Sequence, residues 1–233
     1  MNTRIFDSTE DLLAAAARTI VQRVEAGARS IALSGGSTPK PLYQMMGTGP
    51  LRETLARYPI TWVVVDERYV PMDHPDSNAG MITATLFAEG IAPTHTFLRF
   101  KTELGDPEGT ARQFEADYLE QGVGDIDVIT LGMGDDGHTA SLFPGTSVLE
   151  VEDRVAAAVH VPRLDAWRVT LTKPALRAGK LRMILAAGAK KRPILEEIRA
   201  GADYPIAQVT AGNESWWFLD KEAAGERTGR AEK

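Results

Sequence analysis

Apolar positions along the chain follow two periods in turn, and the alternation predicts an α/β layer fold. Short runs rich in apolar and β-branched residues stand at 30–34 (SIALS), 60–65 (ITWVVV), 96–100 (TFLRF), 127–131 (DVITL), 155–161, 169–172 and 182–187 (RMILAA), and each reads as a strand. The runs at 60–65 and 182–187 are almost wholly apolar, the pattern of strands buried on both faces of a parallel sheet. Helical spacing occupies the intervals. From a Ser8 or Thr9 cap, Leu12, Leu13, Ala16, Ile20, Val21 and Val24 recur at helical intervals up to a stop at Gly27. Further helices are predicted at about 40–46, 78–87, 106–121, 173–180 and 191–198. Segments 205–209 and 216–219 are the last with an ordered pattern, and Trp216 and Trp217 are expected to close the core or an interface.

Polar residues concentrate where the predicted strands end. After the first comes Gly35-Gly36-Ser37-Thr38-Pro39, a glycine turn before a helix start, which places free N–H groups and hydroxyls around an anion. It lacks the GKS or GKT ending of a Walker loop. After 60–65 come Asp66, Glu67 and Arg68, charges at what reads as the carboxyl end of a central strand, where open parallel sheets bind ligands. A proline-rich loop at 70–77 follows and could cover a site, with His74 a surface residue. After 127–131 comes GMGDDGH: Gly132, Gly134 and Gly137 permit close backbone approach, and Asp135 and Asp136 precede His138, which stands just before a fresh helical start. His138 is either a hydrogen-bonding turn residue or a general base that a neighbouring carboxylate orients. After 182–187, Lys190 and Lys191 are alternative anion partners or solvated surface lysines.

Composition narrows the chemistry. At 233 residues the chain is long enough for one large α/β domain. A formal net charge of -6 argues against a general nucleic-acid binder but permits a pocket with a few cations. The absence of cysteine removes disulfides, thiol nucleophiles and thiolate-bound metals. His74, His95, His138 and His160 show no metal-ligand spacing, so no metal is expected. The N-terminal stretch has no signal-like apolar core and no run reaches membrane-spanning length, which makes the cytoplasm the expected location.

Taken together, SGGSTP (34–39), DERYVP (66–71) with SN (77–78), LGMGDDGHTASLFPG (131–145), RVTLTKPAL (168–176) and GAKK (188–191) resemble the 6-phosphogluconolactonase branch of the family that also contains glucosamine-6-phosphate deaminase. The resemblance spans nearly the whole chain. It implies a Rossmann-like open parallel sheet with helices on both faces, with room for a small additional strand-rich subdomain. It also implies hydrolysis of 6-phospho-D-glucono-1,5-lactone without a cofactor. No GxGxxG follows the first predicted strand, which agrees with the absence of a dinucleotide. By the same resemblance His138 activates water, Asp136 orients it, and Arg68 stabilises the oxyanion. Gly35, Gly36, Ser37, Thr38, Asp66, Gly134, Arg168 and Lys191 would bind substrate or its phosphate. The pattern selects Lys191 over Lys190.

The deaminase branch resembles DGHIAFNEP at the histidine loop, whereas this chain has DGHTASLFP, so Ser141-Leu142-Phe143 offers no carboxylate. A non-catalytic sugar-phosphate sensor is the other alternative, although no basic helix-turn-helix segment accompanies the fold. The expected organisation is one domain over 1–220, a polar, frayed tail over 221–233, and a monomer or small homo-oligomer that engages neither nucleic acid nor membrane.

Overall fold

The computed structural model describes residues 1–212 and 214–226. The first half of the chain forms β1 (Asn2–Phe6), α1 (Thr9–Glu25), β2 (Ser30–Leu33), α2 (Lys40–Met46), α3 (Gly49–Leu55), β3 (Thr61–Val64), β4 (Asp66–Arg68), α4 (Asn78–Thr85), β5 (Thr96–Leu98) and α5 (Pro107–Glu120). The second half forms β6 (Val128–Leu131), β7 (Ala156–Val161), β8 (Ala166–Leu171), α6 (Lys173–Ala178), β9 (Leu181–Ala186), α7 (Arg192–Arg199), α8 (Pro205–Thr210), β10 (Glu214–Asp220) and α9 (Lys221–Ala224).

Seven strands make one sheet in the order β1-β10-β9-β6-β2-β3-β5, every pair parallel. Helices flank it, as expected of an α/β layer fold. The central strands β6 and β9 are buried along their whole length, which is why VITL and LRMILA carry almost no polar side chain. Thr130 on β6 and Arg182 on β9 are the exceptions, and the charged one, Arg182, is fully buried. Its guanidinium donates to the Ser215 hydroxyl at 3.0 Å and the Arg177 carbonyl at 2.5 Å, so burial does not leave the charge without acceptors.

Local chemistry fixes the helix starts. Ser8 caps α1 by accepting from the Asp11 N–H at 3.1 Å, and Asp106 caps α5 by accepting from Glu108 and Gly109 at 3.1 and 2.9 Å. Each such cap contributes about 1 kcal/mol. No helix among the described residues is long and apolar enough to cross a membrane.

Several sequence expectations are corrected. The charged triplet at 66–68 is not the end of a central strand. β3 lies next to the edge strand β5, and after Val65 the chain turns into β4, which belongs to a second, antiparallel sheet of order β4-β8-β7. This is the small strand-rich unit, and α5 packs on it. No helix starts after His138: Thr139 and Leu142 close a tight bridge, with Ala140 at φ 50°. Pro144 and Gly145, the latter at φ 75°, prevent helix propagation, while Leu142 and Phe143 turn inward. The polar tail begins as a turn of helix, because Asp220 accepts from the Ala223 N–H at 2.8 Å and Ala223 is buried. The remainder of that tail, 227–233, lies outside the described residues. Strand β1 and helix α3 carry no expectation from the sequence.

Candidate active site

Chain order in the large sheet reverses between β2 and β6: from β2 the chain proceeds outward to β3 and β5, and from β6 to β9 and β10 on the other side. Loops leaving the carboxyl ends of such neighbours diverge and leave a crevice. Here the crevice is a cavity of about 400 Å³, within the range of small-molecule sites. The turn after β2 supplies Ser34, Gly35, Gly36, Ser37 and Thr38 to it; the loop after β6 supplies Gly134 and His138; the turn after β9 supplies Lys191. The small sheet closes the side with Asp66 and Arg68 from β4 and Arg168 from β8.

At the histidine loop, His138 Nδ1 lies 2.5 Å from Asp136 Oδ1, and the same oxygen accepts from the His138 backbone N–H at 3.2 Å. A carboxylate cannot donate, so in the neutral ring Nδ1 carries the proton and Nε2, which has no hydrogen-bond partner among the described residues, is the acceptor of a ring that lines the cavity. Burial works to raise the Asp136 carboxyl, but the hydrogen bonds from the His138 ring and backbone, with the nearby Arg163 charge, outweigh it and hold the group below its ordinary value. Gly134 makes this contact possible. A Cβ there would lie 2.0 Å from His138 Nδ1 and 2.7 Å from Asp136 Oδ1. The His138 ring is further held by stacking on Phe143, centroids 4.2 Å apart.

Across the cavity wall, Arg68 and Arg168 are register partners on β4 and β8. Burial and the neighbouring Arg68 charge push the Arg168 guanidinium below its ordinary value, against the attraction of Asp66, Asp76 and Glu67. Arg68 Nη1 donates to the Asp76 carbonyl at 2.6 Å, which ties it to the proline-rich loop. Asp66 accepts from the Ser141 hydroxyl at 2.7 Å. Burial raises its carboxyl above the ordinary value despite that bond and the two arginines. The cavity thus places two cations and a hydroxyl-bonded carboxylate beside an oriented imidazole.

The expected residues divide into groups. Gly35, Gly36, Ser37, Thr38, Asp66, Arg68, Gly134, His138, Arg168 and Lys191 line the cavity, while Asp136 stands behind His138. Lys190 is exposed and does not line it. Lys191 Nζ also pairs with Asp135 Oδ1 at 2.6 Å, so Asp135 orients the lysine and not the histidine. Glu67 points away from the cavity: its carboxylate accepts from the backbone of Arg68, Asn78 and Ala79 and from the Ser77 hydroxyl, and so anchors the start of α4. Asn78 in turn donates to the Asp66 carbonyl at 2.7 Å and packs under Gly35, where a Cβ would approach Asn78 Oδ1 to 1.8 Å.

Two features went unread in the sequence. Arg163, on the turn between β7 and β8, lines the cavity and binds Asp136 Oδ2 at 2.6 Å. No motif surrounds it, and only the hairpin brings it across. The second is at Ser34, the first residue of SGGSTP, whose Oγ is buried at the cavity wall without a protein partner, which suits a ligand atom.

Residues 6–218 match the family described as glucosamine-6-phosphate isomerases/6-phosphogluconolactonase. A 6-phosphogluconolactonase of Synechocystis sp. is 39% identical over 215 residues, covering 85% of each chain. The solved structure of 6-phosphogluconolactonase from Trypanosoma cruzi superposes with a TM-score of 0.83 at 27% identity, covering 96% of both chains. A monomeric glucosamine-6-phosphate deaminase superposes with a TM-score of 0.82 at 21% identity, covering 97% of this chain and 100% of that one; this likeness concerns the fold alone.

Proposed function

The chain belongs to the glucosamine-6-phosphate isomerase/6-phosphogluconolactonase family, and from that premise we propose that it hydrolyses 6-phospho-D-glucono-1,5-lactone to 6-phospho-D-gluconate in the oxidative pentose phosphate pathway. The observation that carries the reading is the state of His138. Its Nδ1 is engaged by Asp136 and its Nε2 is left to a cavity that also holds cations and a glycine turn.

In the proposed reaction Nε2 takes a proton from water as the water oxygen bonds to the lactone carbonyl carbon. Asp136 stabilises the imidazolium that forms. The former carbonyl oxygen becomes an oxyanion beside Arg68, and loss of one such donor typically costs about 3 kcal/mol in the transition state. Collapse breaks the bond to the ring oxygen, which receives the proton from His138. The product carboxylic acid then releases a proton to solvent. Gly36, Ser37 and Thr38 hold the phosphate with Lys191, and Arg168 adds a further cation. Ser34 Oγ and the Asp66 carboxylate are suited to the substrate's remaining oxygens and hydroxyls. The reaction consumes a charged sugar phosphate that does not cross membranes unaided, which supports a cytoplasmic site of action.

The deaminase reading needs further acid–base groups to open a ring and move a proton between carbons. Ser141 is instead bonded to Asp66, and Leu142 and Phe143 are buried in the core. Proton release from freshly generated 6-phosphogluconolactone, corrected for spontaneous hydrolysis, tests the proposal. Wild type should exceed background, and His138→Ala should lose roughly 10²- to 10⁴-fold in rate. A wild type at background, or one that releases ammonia from glucosamine 6-phosphate, would refute it.

A further inference from the structure

We propose that Arg163 is a positioning residue of this site, which holds the Asp136 carboxylate in the orientation that keeps the proton of His138 on Nδ1. The inference rests on the proposed role of His138 as the base. Asp136 sits between Gly134 and Gly137, on backbone with little intrinsic stiffness. One carboxylate oxygen faces His138 Nδ1 at 2.5 Å; the other is taken by Arg163 Nη2 at 2.6 Å. Partners on both oxygens fix the carboxylate plane, where His138 alone, which engages only Oδ1 through its ring and its backbone N–H, would leave Oδ2 free to swing.

Arg163 is itself held. Its guanidinium lies 4.9 Å from the centre of the Phe143 ring, the ring on which His138 stacks. Its turn, Pro162–Leu164, is closed by Asp165 at φ 43°, and Asp165 pairs with His160 at 3.3 Å. From that turn β8 runs on to Arg168. The hairpin therefore carries both the residue that orients the base and one of the cations of the cavity wall.

The pair is not there for stability. The Arg163 side chain is 52% exposed, and ion pairs of that exposure add little to folding free energy. Its consequence is tautomeric. Free imidazole has no partner that enforces the Nδ1–H form, so the site needs Asp136 in place, and Asp136 needs its second partner. Other charged groups that face the cavity with His138 are Asp66 and Arg68 from β4, Arg168 from β8 and Lys191 after β9. All of them remain when Arg163 is replaced, so a change in the ring reports on Arg163.

The test uses full-length wild type, Arg163→Ala, Arg163→Lys and Asp136→Asn, with ring-15N histidine and no substrate, in buffer alkaline enough to keep imidazole neutral. The ring nitrogen shifts of His138, assigned with His138→Gln, report the tautomer. Wild type should show the Nδ1–H form. Arg163→Ala should move toward Nε2–H in the direction of Asp136→Asn, with an unchanged melting temperature, and Arg163→Lys should recover part of the shift. In the lactonase assay kcat should fall roughly tenfold in Arg163→Ala with KM within about twofold, well short of the loss expected when a triad carboxylate is removed. An Arg163→Ala spectrum identical to wild type overturns the proposal whatever the rate does. So does a tautomer change that appears only with a fall in melting temperature, which marks a structural role. If wild type has no lactonase activity, the functional reading fails while the spectra still decide the role of Arg163.

Discussion

His95 and His138 carry the same side chain into different fates. His95 Nδ1 accepts from the Trp62 indole N–H at 3.0 Å, so its Nε2–H is donated to the Leu55 carbonyl at 3.1 Å. Its ring also meets Trp62 edge-on, centroids 5.7 Å apart. Both nitrogens are spent on structure. Among the described residues His138 commits only Nδ1, to Asp136, and its ring lines the cavity. A histidine becomes available for proton transfer when the fold satisfies half of it.

That contrast can be broken experimentally from either side. The largest effect is expected at His138. His138→Gln should cost roughly 10²- to 10⁴-fold in kcat/KM while the melting temperature stays near wild type, since the ring faces a cavity. Asp136→Asn comes next. It preserves shape but favours the wrong tautomer, and a loss approaching that of His138→Gln, at most roughly 10⁴-fold in kcat, is expected, read as an initial rate against the spontaneous reaction. His95→Ala should reverse the pattern, with about 2–3 kcal/mol lost in denaturant unfolding and kcat/KM unchanged, because truncation opens a cavity and leaves the Trp62 indole N–H without its acceptor. A large activity loss in His95→Ala without loss of stability would sink the comparison.

The smallest effect is on pH dependence. Burial holds the His95 imidazole below its ordinary value, about 6.5. The unfolded chain then binds a proton at a pH where the folded one does not. The stability that neutral His95 contributes is present above the unfolded value and lost as pH falls through and below it. Melting temperatures measured between pH 7.5 and 5.5 should fall less steeply in His95→Gln than in wild type.

The adjacent acids on β4 show how far the sequence could be read. Asp66 and Glu67 look alike as a charge pair after an apolar run. The alternation of a strand sends one to the cavity and the other inward to the start of α4. Buried runs such as residues 60–65 and 127–131 were legible because β-branched residues bounded by glycine or charge have few other uses. The glycine turn and the histidine loop were legible because their chemistry is contiguous. What depends on distant pairing was not. β4 leaves the main sheet because it pairs with β8, about a hundred positions later, and Arg163 reaches Asp136 because a hairpin folds back. β1 escaped notice because it is a largely exposed edge strand with no apolar alternation.

That edge strand bears on how the protein is made. Asn2 lies in register with Trp216, and Phe6 with Asp220, so among the described residues β1 has as its sheet partner a strand more than two hundred positions later in the chain. During translation β2, β3 and β5 can pair among themselves, whereas β1 must wait with an unpaired backbone until β10 has left the ribosome. A sheet with so long a closing contact is expected to complete its folding late, once β10 is available to pair.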